Sequence, residues 1–264
     1  FTLRKNTERP STFIENNGTN QLINKISEIE LKECKGSMDL WDGKSNHIIQ
    51  EVIKNLINYP DKYIYIPFGF DCFIASKLKE YQLRCCSLPF DWIFSNIKML
   101  EHILSDNFYI FSHKKYIKNN KEKNSTHTKY KELLTSKRGG NQIFNHSRNE
   151  DGKEYNTFIK RINRLKSILS NQSVYKIFLS FNRIPEFKAS NDQITSIQKL
   201  LNNKFNSNYI HIIINMNPFQ SNHRIEFEYT SNNLYILNYH TISDRSALIF
   251  NDKRDDIYFK FVFN

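Results

Sequence analysis

The sequence predicts an α/β fold: a mainly parallel sheet flanked by helices, in a single domain with an N-terminal arm and a basic insertion. Three observations lead there. Amphipathic helical stretches alternate with short apolar strands, the rhythm that builds a parallel sheet. Several strand segments are nearly continuous apolar runs, as expected for strands buried on both faces. The chain has 264 residues with 21 Phe and 14 Tyr, which is enough apolar material to bury one large core.

Residues 1–45 are polar and irregular and read as an extended arm, leaving 46–264 as the α/β domain. Ile48, Ile49, Val52, Ile53, Leu56 and Ile57 recur at helical spacing until Pro60 stops the helix. Tyr63 to Ile66 form the first strand. Gly69 permits a sharp turn, and Cys72 opens a helix with Ile74, Leu78 and Tyr81 on one face. The aromatic cluster from Leu88 to Phe94 leads into a helix at about 96–105. Residues 113–138 carry eight Lys and Arg138 against Glu122 and Glu132, with no sustained apolar period, and read as a long basic loop. Tyr155, Phe158, Ile159, Ile162, Leu165 and Leu169 mark the next helix. Val174 to Phe181 form a strand, and Ser190 with Gln193 begins a capped helix continued by Ile194, Ile197, Leu200 and Leu201. Tyr209 to Ile214 and Leu234 to Tyr239 are two more strands. Ala247 to Phe250 and Ile257 to Phe263 read as a final hairpin.

Composition narrows the function classes. No stretch approaches the ~18 apolar residues of a membrane span. The formal net charge of +11 admits an anionic polymer or a partner protein on a basic surface, but no nucleic-acid motif accompanies it. Phe1 to Pro10 lacks the apolar run of a signal peptide. Heavy use of Asn, Ile and Lys reads as codon bias of an AT-rich genome, such as that of some viruses, protists or low-GC bacteria. The glycosylation sequons at Asn17, Asn124, Asn145 and Asn171 therefore carry no weight for secretion. Cys34, Cys72, Cys85 and Cys86 show neither Cys-x-x-Cys nor zinc spacing, which fits a reducing compartment. No metal or organic cofactor is implied.

Cys72 carries the sharpest local chemistry. A cysteine in the first turn of a helix after a strand and tight turn sits near free N–H groups that favour a thiolate and bind an oxyanion. Asp71 beside it works against this, because a neighbouring carboxylate raises a thiol pKa. The plain alternative is a buried, inert cysteine.

Ile66-Pro67-Phe68-Gly69-Phe70-Asp71-Cys72, then Leu83-Arg84, then Ser87 to Phe94 with Pro89-Phe90-Asp91-Trp92, resembles the DUF1796 family. That family is described as papain-like cysteine peptidases. Lys160 to Arg164 and Phe178 to Arg183 resemble its later helix with paired Arg and its strand ending in Arg. The resemblance covers about 63–183 and implies a Cys72 nucleophile, with His146 near the family's His position. Pro67-Phe68 departs from the family's Ser-Leu, Asp71 from its Asn, and His146-Ser147 from its His-Asp. A papain-like α+β arrangement is the alternative fold.

In an open α/β sheet, ligands gather at the carboxyl ends of the strands. Cys72, Asn182, Arg183, Asn215, Asn217 and His240 all fall at such ends if the four strands are parallel. His240 is then the preferred base, with Asp244 as its orienting group and His146 as the second candidate. Asp91 either orients a histidine or pins its aromatic loop. Arg183 at a strand end and Arg161, with Arg164, on a helix face are candidate anion-binding groups. Three functional readings follow. The first is a cysteine-dependent hydrolase, peptidase or acyl transferase acting on a protein or small acyl substrate. The second is a non-catalytic binding protein for an anionic polymer or protein partner. The third is a sugar- or nucleotide-handling α/β enzyme in which Arg183 and the strand-end Asn residues bind the ligand.

Overall fold

A computed structural model describes residues 63–119, 125–134, 143–144, 152–183, 189–206, 208–231 and 233–262. The proposed arm, the first amphipathic helix and His146 lie outside these residues. In chain order the elements are β1 (Tyr63–Pro67), α1 (Phe73–Glu80), α2 (Ile97–Ser105), α3 (Tyr109–Ser112), β2 (Ile117–Asn119) and β3 (Ser125–His127). They continue with α4 (Gly152–Ser170), β4 (Tyr175–Asn182), α5 (Asn191–Phe205), β5 (Tyr209–Asn217), β6 (Arg224–Ser231) and β7 (Leu234–His240). The last are β8 (Arg245–Ser246), β9 (Ile249–Phe250) and α6 (Lys253–Phe261).

The main sheet has the order β1-β4-β5-β7-β6. β1, β4, β5 and β7 are parallel neighbours, and β6 pairs antiparallel with β7 at the far edge. This is the α/β arrangement, with helices on both faces, and not an antiparallel papain-like sheet. One face packs Ile64, Ile66, Phe68, Phe178 and Tyr209 against α2, α4 and α5. The other packs Leu179, Phe181, Ile214, Leu237 and Tyr239 against Phe73, Ile74 and Leu78 of α1 and Phe259 of α6. Every residue of β4 is buried, which explains its mostly apolar sequence.

Local signals fix the elements. Ser190 Oγ accepts from Gln193 N and Gln193 returns a bond to Ser190 N, so α5 starts on the expected capping box. Gly69 has φ +82, and a Cβ there would meet Leu100 Cδ1 at 2.9 Å and Ser95 Oγ at 3.0 Å. The turn after β1 therefore requires glycine. Ser95 then bridges back to Phe70, so the segment after α1 returns alongside that turn.

Two expectations need correction, and one strand was missed. Residues 257–261 belong to helix α6 and not to a hairpin. Asp252 caps Arg254 N at 2.8 Å, and Asp255 and Asp256 occupy the first turn, where negative charge favours a helix. β6 went unpredicted, although Ile225, Phe227 and Tyr229 alternate with Arg224, Glu226 and Glu228 in the period of a strand. The basic stretch is not simply a loop where it is described. β2 pairs with β3, and Ile117, His127, Tyr130 and Leu134 are buried. None of the described helices is long and apolar enough to cross a membrane.

Candidate ligand site at the carboxyl edge of the sheet

Strand register lays out a polar surface at the carboxyl edge. Asn182 of β4 is level with Asn215 of β5, Asn215 with Asn238 of β7, and Asn238 with Glu226 of β6. Their sequence neighbours Phe181, Ile214, Leu237 and Phe227 point into the α1 side of the core. The three amides and Glu226 therefore all point to the other face, toward α5. One step further along, Asn217 is level with His240, and His240 with Arg224.

The amides hold one another loosely. Asn182 Nδ2 donates to Asn215 Oδ1 at 3.5 Å, and Asn215 Nδ2 donates to Asn238 Oδ1 at 3.4 Å. Both are long for an N–H···O bond. Each primary amide carries two donors and an acceptor, the chemistry that meets a ligand's hydroxyl groups. Exposure rises across it: Asn182 is 4% and Asn215 7% exposed, and the Glu226 side chain is 44% exposed. The site thus opens toward β6.

His240 and Glu226 form the titratable part. His240 Nε2 donates to Glu226 Oε2 at 3.0 Å. With its proton on Nε2, the neutral ring carries its lone pair on Nδ1, which is buried and has no hydrogen-bond partner among the described residues. Arg224 Nη2 pairs with Glu226 Oε1 at 2.8 Å and extends the chain of charge to the surface.

The α1 side of the same edge is closed instead. Arg183 pairs with Asp244, and Arg245 pairs with Asp71. The Arg245 guanidinium lies 4.5 Å from the Phe73 ring centroid and 5.3 Å from that of Phe181. Arg183 is thus engaged by a carboxylate on the face away from the amide row. Asp244 does not orient His240: its second oxygen accepts from Arg245 N at 2.8 Å.

Cys72 stands at the N-cap of α1, but Asp71 Oδ1 is the atom that caps, accepting from Phe73 N at 2.9 Å. Burial first, and then the Asp71 carboxylate, push the Cys72 thiol up to about 11, against the pull of Arg245. The structure does not bring His240 to it. Tyr239 packs on the α1 side, so His240, next in the strand, points away from the helix that Cys72 caps.

Asp91 is fully buried, pairs with Arg84 and accepts from Leu88 N at 2.9 Å, so it pins its own loop. Arg161 on α4 is half-buried, close enough to Asp91, Arg84 and Arg164 to feel their charges. It belongs to a second cluster, with Asp91, Arg84 and Arg164.

Asn238, Glu226 and Arg224 were not anticipated as site residues. Asn238 had a readable signal, because it lies two residues before His240 near the carboxyl end of its strand. Glu226 and Arg224 depended on recognising β6. Among the described residues, no group of three or more His, Cys, Asp or Glu side chains is placed to hold a metal ion. No family model, no curated protein and no solved structure matches this chain. The resemblance to the DUF1796 family rests on the motif residues alone.

Proposed function

We propose that this chain is a sugar- or nucleotide-handling α/β enzyme. Ligand hydroxyl groups bond to the amide row of Asn182, Asn215 and Asn238, and Glu226, oriented by His240, serves as general base. The observation that carries this reading is the register alignment of three Asn amides with Glu226 at the open end, beside a His–Glu pair. The His240 Nε2–H and the Arg224 guanidinium hold the Glu226 carboxylate in place. Glu226, the exposed member of the pair, takes a proton from a substrate hydroxyl or from water. That oxygen bonds to the group being transferred, the bond from that group to its leaving phosphate breaks, and the phosphate departs as the anion. Arg224, more than half exposed beside them, meets an anionic part of the substrate.

Calorimetric titration with UDP-glucose, ADP-ribose and AMP as probes tests the site. One of the three is expected to bind, and Asn215→Ala and Asn238→Ala are each expected to weaken it about tenfold, the scale of one lost buried hydrogen bond. Unchanged affinity in both variants, or no binding of any probe, contradicts the reading.

A second reading, a cysteine-dependent hydrolase or acyl transferase, is favoured by one observation: Cys72 begins α1 directly after the β1 turn. In that chemistry Cys72 attacks a carbonyl and forms a thioester. The raised thiol pKa argues against it in the wild type. Iodoacetamide is expected to label Cys72 slowly at pH 7 and several-fold faster in Asp71→Asn, where the neighbouring negative charge is gone. Fast wild-type labelling well below the ~8.5 of an ordinary thiol would move the assignment to Cys72.

A further inference from the structure

Cys85 and Cys86 are adjacent thiols whose sulfurs lie 3.4 Å apart. Cys85 is exposed and Cys86 half-buried. They sit in an arginine-rich corner. Arg84 precedes them, bonds Ser87 Oγ at 2.8 Å and lies 5.5 Å from the Trp92 ring centroid. Arg164 of α4 donates to the Ser87 carbonyl at 2.5 Å. Arg161, one turn earlier on α4, makes no ion pair among the described residues. Against these three guanidiniums stands the Asp91 carboxylate, already held by Arg84. The corner is electropositive and its outer thiol is open to solvent.

We propose that Cys85 and Cys86 form an oxidisable vicinal dithiol, a modification site that a small anionic disulfide such as glutathione disulfide closes to a Cys85–Cys86 disulfide. The Cys85 thiolate attacks one sulfur of glutathione disulfide, breaks its S–S bond and releases one glutathione thiolate. Cys86 then loses its proton to solvent, attacks the Cys85 sulfur and expels the second glutathione thiolate. Two protein thiols are oxidised and one external disulfide is reduced to two thiols.

Cys85 is the attacking group on three grounds. It is the exposed member of the pair. The hydrogen bond between the two thiols lowers its pKa, and Arg84 adds to that effect. Arg161 and Arg164, the charges that the Arg84–Asp91 pair leaves unbalanced, also attract an anionic oxidant. Adjacent Cα atoms are ~3.8 Å apart across a trans peptide, below the ~4.4–6.8 Å usual for a disulfide. The closed ring is therefore strained and is readily reopened by a dithiol. Ser87 directly follows the pair and holds both Arg84 and Arg164, so closing the ring acts on the contact between this segment and α4.

The test uses the full chain, oxidised with glutathione disulfide, blocked with iodoacetamide and digested with trypsin. The peptide from Cys85 to Lys98 contains these two cysteines and no other. It is expected to appear two hydrogens lighter than the reduced peptide, with no alkyl group or glutathione. Dithiothreitol should restore the doubly alkylatable form. Cys86→Ser should stop at a single glutathione on Cys85. Cystamine, a cationic disulfide, should react several-fold more slowly than glutathione disulfide. A peptide that stays doubly alkylated, carries two glutathiones or is bridged to another chain overturns the proposal. So does a cystamine rate equal to or above that of glutathione disulfide.

Discussion

Asp91→Ala is expected to lower the free energy of unfolding by about 3–5 kcal/mol, the scale for breaking a buried ion pair from one side. Asp91 is fully buried, and it both neutralises Arg84 and accepts the Leu88 N–H. The Arg84 side chain is itself only 10% exposed, so the substitution strands a guanidinium inside the fold. Burial raises the Asp91 pKa and Arg84 opposes it, which is the signature of a carboxylate kept in place by its partner. The loss should appear as a lower urea midpoint with an unchanged slope. Asp91→Asn keeps an acceptor for Leu88 N and should fall between the two. A Asp91→Ala chain as stable as wild type would free Asp91 for the catalytic role that the sequence also allowed.

Acidification is expected to destabilise the fold strongly between pH 6.5 and 4, through two buried histidines. His211 is fully buried, and desolvation holds it down at about 3. Ser180 Oγ donates to the Phe68 carbonyl and accepts from His211 Nε2 at 2.9 Å, which fixes the neutral ring with its proton on Nε2. His127, buried among Phe111, Tyr116 and Tyr130, is held at about 4, again chiefly by desolvation. Each folded pKa lies below the ordinary value of 6.5, so the unfolded chain binds more protons as the pH falls. The stability they confer is complete above about 6.5 and disappears progressively as the pH approaches the folded values. For His211 alone the full swing, reached only near pH 3, is roughly 4–5 kcal/mol. Melting temperatures from pH 7 to 4.5 should drop steeply, and His211→Gln should flatten the slope. A slope unchanged in His211→Gln would contradict this assignment.

The parallel core was legible because β4, β5 and β7 are buried on both faces and spell this out as apolar runs. The capping box of α5 was legible for a different reason: Ser190 and Gln193 act locally and need no tertiary context. The edge of the sheet was harder. β6 alternates because one face meets Leu237 and Tyr239 of β7's side while the other carries Arg224, Glu226 and Glu228. Its charged residues masked the strand. The end of the chain was misread because Ile257, Phe259 and Phe261 alternate like a strand, whereas the Asp252 cap and acidic first turn decide for a helix. Convergence of Asn182, Asn215, Asn217 and His240 on one edge followed from parallel order. Which face each side chain takes depends on exact register, and a one-residue difference separates His240 from Tyr239. That is why the partner of His240 is Glu226 and not Asp244, and why Cys72 lies on the other side of the sheet.

The most direct measurement is side-chain amide NMR of the full chain labelled with 15N-asparagine, titrated with the probe that binds by calorimetry. The Nδ2H2 resonances of Asn182, Asn215 and Asn238, assigned by single substitutions, should shift together and saturate at the calorimetric affinity. Glu226→Gln should leave that binding within a few-fold while abolishing turnover. Saturable binding that leaves all three amides unmoved would contradict the claim that this row is the ligand site.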